Sequence, residues 1–168
     1  VDEATLITMR DTMIHRGPDG AGVWRNGTAG IGFGHRRLAI IDLSDAALQP
    51  MHLAEETLSI VFNGEIYNHA ELREELTGLG HSEWKTDHSD TEVILHAFQE
   101  WGIDCLQRFR GMFAIALWDD IEKELWLIRD RVGIKPLYYA LDERGIVFAS
   151  EIKAILAGPD RKRAVNEE

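Results

Sequence analysis

Cysteine is nearly absent: Cys105 is the only one in 168 residues. It therefore has no intrachain disulfide partner, and a nucleophilic cysteine must be Cys105 or lie outside this sequence. Proline is scarce as well, with 4 residues against 15 glycines, and 45% of the chain is hydrophobic. Such a composition excludes disorder as the main theme and indicates one folded domain, long enough to bury a core without staples. Basic residues are in deficit, with 18 Lys and Arg against 29 Asp and Glu, for a formal charge of −11. That balance repels a phosphate backbone and an anionic membrane surface, so nucleic acid and membrane partners are not expected. No run of eighteen apolar residues and no charged-then-apolar leader occurs, and the expected compartment is a reducing cytoplasm.

Periodicity supplies the elements. Leu6, Met9 and Met13 at helical spacing predict a helix over residues 3 to 14, stopped by the Gly17 and Pro18 loop. Val23 to Arg25 and Gly30 to Phe33 around Asn26-Gly27 predict a hairpin, and Leu38 to Ile41 a further short strand. Leu58 to Phe62 reads as a buried strand ending in a tight turn at Asn63-Gly64. Asn68 with Glu71 and Ser89 with Glu92 resemble capping boxes, the second opening a helix through Trp101. Phe113 to Trp118 with Glu124 to Ile128, and Pro136 to Leu141 with Ile146 to Ala149, predict two more hairpins. Ser150 is the expected cap of a short helix over Glu151 to Leu156. Hairpins and grouped helices without regular strand-helix alternation define an α+β class.

Several residues suit chemistry, each with a plainer alternative. Gly64 permits a backbone N–H to face a ligand and Asn63 adds an amide donor, which together would make an oxyanion hole. The dipeptide by itself is better explained as a turn. Arg36-Arg37 offers a bidentate match to a carboxylate, or a structural ion pair. Asp90, in the first turn of its helix, suits a substrate ammonium or simple dipole stabilisation. Arg37 and Asp90 together would read the two charges of a free α-amino acid. The dispersed histidines give no zinc spacing, and no metal site is expected. Cys105, between Asp104 and Leu106 with no neighbouring His, reads as buried and structural. The alternating charges of Arg129-Asp130-Arg131 could hold phosphate, but more simply neutralise one another.

In order along the chain stand His15-Arg16-Gly17-Pro18-Asp19, His35-Arg36-Arg37-Leu38-Ala39-Ile40-Ile41-Asp42, Gln49-Pro50-Met51 and Phe62-Asn63-Gly64-Glu65-Ile66-Tyr67-Asn68. Ser89-Asp90-Thr91-Glu92, Gly111-Met112-Phe113-Ala114 and Arg129 to Tyr138 follow. The series resembles the glutaminase domain of glutamine-hydrolysing asparagine synthases, a class II glutamine amidotransferase. The resemblance implies a four-layer αββα N-terminal-nucleophile hydrolase fold. It also implies that an N-terminal cysteine attacks the side-chain amide of glutamine, with its own α-amine as base. By motif, Arg37 would hold the glutamine carboxylate, and Leu38, Ala39, Ile40 and Ile41 would line the pocket. Asn63 and Gly64 would form the oxyanion hole, with Glu65 beside them, and Asp90 would bind the ammonium.

This sequence opens at Val1, close to the first helix, so the expectation is a domain over residues 1 to 157 without the family's first strand and cysteine nucleophile, inactive alone. Residues 158 to 168 read as a linker toward a C-terminal synthetase domain, which would use ATP and magnesium. No cofactor is expected in the present domain, and a homo-oligomer is possible. Competing readings are an amidotransferase domain serving another acceptor and a noncatalytic glutamine-binding module. A stand-alone hydrolase using Cys105 ranks behind both.

Overall fold

The computed structural model describes residues 1–40, 44–53 and 56–158. Its elements in chain order are α1 (Glu3–Asp11), β1 (Gly20–Asn26), β2 (Ile31–Arg37), β3 (Met51–His52), β4 (Leu58–Ile66) and α2 (His69–Gly78). They continue with α3 (Asp90–Trp101), β5 (Gly111–Asp119), β6 (Glu124–Arg129), β7 (Tyr138–Asp142), β8 (Gly145–Ala149) and α4 (Ile152–Leu156).

The strands form a central antiparallel sheet in the order β3-β4-β5-β6 and two hairpins, β1-β2 and β7-β8. Alternation in β4 and β5 explains the layering. Leu58, Ile60, Phe62 and Ile66 of β4, with Phe113, Ile115 and Leu117 of β5, join a core with Leu72, Leu76, Val93, Ile94 and Phe98 of α2 and α3. The intervening Ala116 and Trp118 turn to the other face and pack with Phe33 of β2, Val61 and Phe148 of β8. Both faces of β5 are thus covered, which is why Phe113 to Trp118 is one continuous buried run. Outside the hairpins, α1 packs on β2 and α4 on β8 and α1. The result is four layers, helix, sheet, sheet and helix, with each fully buried Ile, Leu or Phe contributing ~1.5–3 kcal/mol.

Several local expectations are corrected. The chain does not turn at Asn63-Gly64: β4 runs through to Ile66, pairing Asn63 with Ala114 and Gly64 with Phe113. Glycine is required there by close approach, because a Cβ would lie 2.2 Å from the Met112 carbonyl oxygen. Leu38 to Ile40 is not a strand. The Arg37 carbonyl accepts from the Asp19 N–H at 3.0 Å, and the Asp19 carboxylate accepts from the Ala39 N–H at 3.0 Å, so this loop takes the groups a strand would use. Ile41 and most of the expected linker, 159–168, lie outside the described residues.

The capping boxes also fail in detail while their helices form. The Glu92 carboxylate accepts from the N–H groups of Lys85 at 2.6 Å and Thr86 at 2.9 Å, fastening the approach to α3. Asn68 is spent on the Arg108 carbonyl and the Arg110 N–H. Ser150 does not cap α4, whose N-cap is Glu151. Arg129 and Asp130 do not neutralise each other. Arg129 donates to the Gly133 and Lys135 carbonyls, and Asp130 accepts from the N–H groups of Phe113, Ile134 and Lys135. Both fix the loop entering β7.

Candidate active site

A cavity of about 750 Å³ lies between the central sheet and the two hairpins. Arg37, Leu38, Ala39, Ile40, Asn63, Gly64 and Asp90 line it; Glu65 does not. Alternation in β2 separates the two arginines. Arg36 turns toward α1 and pairs with Asp11 at 2.8 Å, which is the structural ion pair. Arg37 is buried on the opposite face and donates to the Ser44 carbonyl at 2.9 Å. A buried guanidinium on a cavity wall is suited to a carboxylate.

The edge of β4 explains Asn63 and Gly64. Odd-numbered residues direct their backbone groups to β5, as continues at Tyr67, whose N–H reaches the Arg110 carbonyl. Even-numbered residues direct theirs to the opposite edge, where β3 covers only the stretch near Ser59 and Ile60. Beyond it, side chains take over. The Phe62 N–H donates to Gln49 Oε1 at 2.6 Å, and the Ile66 N–H donates to Asp90 Oδ2 at 3.0 Å. His35 Nε2 meets the Phe62 carbonyl at 3.3 Å, and His69 Nδ1 the Ile66 carbonyl at 2.9 Å. Gly64, between them, points its N–H to the same edge and has no partner there among the described residues. Asn63 places its side chain on the inter-sheet face, with Nδ2 3.4 Å from Ser150 Oγ.

Asp90 is buried at the start of α3, and burial pushes its pKa up against the opposing pull of the Ile66 N–H. His35 is more strongly affected: burial lowers its pKa to about 4. It is neutral at pH 7, and because a carbonyl only accepts, Nε2 carries the proton. Its Nδ1 is buried without a hydrogen-bond partner. Cys105 lies in the helical core, outside the cavity lining, and burial pushes its thiol up to about 12. Among the described residues no group of three or more His, Cys, Asp or Glu side chains could hold a metal ion. No helix among them is long and apolar enough to cross a membrane. His35, Gln49 and Ser150 were not singled out from sequence as site residues. The only signal for the first two was their place in the motifs, since the strand edge they serve is a tertiary feature.

The layered arrangement is the N-terminal-nucleophile hydrolase fold. It is similar to glutamine phosphoribosylpyrophosphate amidotransferase from B. subtilis, in a complex with ADP and GMP, with a TM-score of 0.73 and 24% identity over 93% of this chain and 41% of that one. The chain belongs to the glutamine amidotransferase domain family, which it matches over residues 1–168. Asparagine synthetase [glutamine-hydrolyzing] 3 of Bacillus subtilis (strain 168) is 44% identical over 167 residues, 98% of this chain and 26% of its own length. A putative glutamine-hydrolyzing asparagine synthetase of Mycobacterium tuberculosis (strain ATCC 25618 / H37Rv) is 45% identical over 163 residues, 92% of this chain and 25% of its own. The chain spans about a quarter of the length of these curated relatives.

Proposed function

We propose that this domain binds L-glutamine and serves the hydrolysis of its side-chain amide, supplying ammonia to an ATP-dependent synthetase domain that makes asparagine from aspartate. The observation that carries the reading is the convergence of Arg37, Asn63, Gly64 and Asp90 on one cavity, with the Gly64 N–H left unpaired at a strand edge.

In this reading Arg37 takes the α-carboxylate and Asp90 the α-ammonium, so the carboxamide is directed toward Asn63. The attacking thiol belongs to an N-terminal cysteine, for which Cys105 cannot substitute. Cys105 is buried, is protonated at neutral pH, and has a peptide-bonded nitrogen where the mechanism needs a free α-amine. As sulfur adds to the carboxamide carbon, the carbonyl oxygen becomes an oxyanion. Asn63 Nδ2 and the Gly64 N–H donate to it. The leaving nitrogen departs as ammonia with the proton released by the thiol, and water then cleaves the thioester to glutamate. An oxyanion donor held in place beforehand acts without reorganisation, and losing one costs roughly 10²–10³-fold in turnover.

Calorimetric titration of the chain tests recognition. Binding of L-glutamine is expected, with no binding of D-glutamine or of an analogue without the α-amine. Failure of L-glutamine to bind would overturn the proposal. Hydrolysis is then measured in the full-length protein.

A further inference from the structure

Two polar side chains on the cavity wall, the half-buried His35 and the buried Gln49, converge on one residue, Phe62. Gln49 takes its N–H and His35 its carbonyl, so both backbone groups that Phe62 shows to the free edge are closed by side chains. Gln49 does more: its Nε2 donates to Thr91 Oγ1 at 3.2 Å, beside Asp90. Asp90 in turn accepts from Ile66. The edge of β4 is therefore linked to the start of α3 on both sides of Gly64.

We propose that His35 and Gln49 are positioning residues that hold the Phe62 backbone, and through it Asn63 and the Gly64 N–H, at a fixed distance from Asp90. The inference rests on the glutaminase reading. Neither side chain needs to touch the substrate. They would keep the oxyanion donors in register with the group that anchors the ammonium, and misplacement by about 1 Å can cost roughly 10²-fold in rate. A neutral imidazole suits this work, because its Nε2–H donates to a carbonyl without placing a cation beside Arg37. The unpartnered Nδ1 leaves an acceptor buried in the same wall.

The test uses the full-length protein and four variants. His35→Leu removes the donor, whereas His35→Gln returns an amide N–H near the position of Nε2. Gln49→Met removes both contacts at similar volume, whereas Gln49→Glu can still accept from Phe62 and from the Thr91 hydroxyl. His35→Leu and Gln49→Met are expected to lower kcat for glutamine about 10²-fold, with KM and the calorimetric Kd within about threefold. The conservative partners should recover at least about a tenth of the wild-type kcat. In a ¹⁵N spectrum, the Gly64 amide should shift in the two disruptive variants and return toward its wild-type position in the other two.

Unchanged kcat in both disruptive variants would overturn the inference while leaving the glutaminase reading intact. So would a loss confined to Kd and KM, or failure of both conservative variants to recover rate. A wild-type protein that neither binds nor hydrolyses glutamine would overturn the glutaminase reading instead. The Gly64 resonance would then decide whether His35 and Gln49 position the strand edge: no shift overturns that too.

Discussion

Asp90 Oδ2 accepts the Ile66 N–H at 3.0 Å, so the carboxylate that opens α3 also fastens the free edge of β4 two residues beyond Gly64. In the proposed reading its charge also anchors the α-ammonium of the ligand. The two duties can be separated, because an amide oxygen performs the first and only a carboxylate performs the second well.

Asp90→Asn is therefore expected to leave folding intact and to weaken L-glutamine binding. Burial raises the pKa of Asp90, so its charge is less well solvated in the folded domain than in the unfolded chain. Removing the charge should hold or raise the thermal midpoint. Loss of a charge-assisted hydrogen bond corresponds to ~1.5–3 kcal/mol, or roughly 10- to 100-fold in Kd. Calorimetry and thermal unfolding on the same sample check both directions; unchanged affinity would remove Asp90 from the site.

Gly64→Ala should destabilise the domain through sheet geometry. A Cβ at that position would stand 2.2 Å from the Met112 carbonyl oxygen and 2.8 Å from Phe113 Cα. Overpacking of this kind costs about 1–3 kcal/mol. Chemical denaturation measures it, and a wild-type midpoint would show that β4 and β5 separate easily at this register.

His35 gives a pH prediction. Its folded pKa, lowered by burial to about 4 from 6.5, means that the unfolded chain binds the proton first on acidification. Between pH 6.5 and 4 the unfolded state holds more protons, so stability falls as pH drops through this window, by on the order of 3 kcal/mol from this group. Below pH 4 both states are protonated and its contribution is flat. Stability curves of wild type and His35→Gln should diverge above pH 4, the variant losing less; parallel curves would show that His35 is not the group responsible.

Cys105 should resist alkylation. With its thiol pushed up to about 12 and its side chain in the helical core, it has almost no thiolate at pH 7.5. A glutamine-analogue electrophile, followed by peptide mapping of the folded chain, is expected to leave Cys105 unlabelled. Labelling there would revive the stand-alone hydrolase.

Element types were largely legible in the sequence because their signals are local. Val93, Ile94, Ala97 and Phe98 mark α3 by their spacing, and the Phe113 to Trp118 run marks a strand covered on both faces. Asn63-Gly64 misled because the pair has the chemistry of a turn, while the reason for its glycine is the backbone of a strand far away in sequence. Capping boxes were misread for a similar reason: Glu92 and Asn68 found tertiary partners better placed than the helix ends. The family motifs brought Arg37, Asn63, Gly64 and Asp90 forward, and these share a cavity. Spacing could not say which of Arg36 and Arg37 is held in an ion pair, since only the docking of α1 on β2 gives Asp11 to Arg36. His35 and Gln49 stayed silent because an isolated His or Gln carries no mark of the strand edge it will close.

Asn63 Nδ2 and Ser150 Oγ meet across the inter-sheet space, joining the central sheet to the end of the last hairpin. No partially folded form can then present the complete cavity, since its walls come from residues as distant as Arg37 and Ser150. A ligand that requires all of them binds the native state alone and withdraws population from every open form. At 100 times its Kd, such a ligand adds about 2.7 kcal/mol to unfolding. Glutamine abundance would thereby set how long the domain survives a protease.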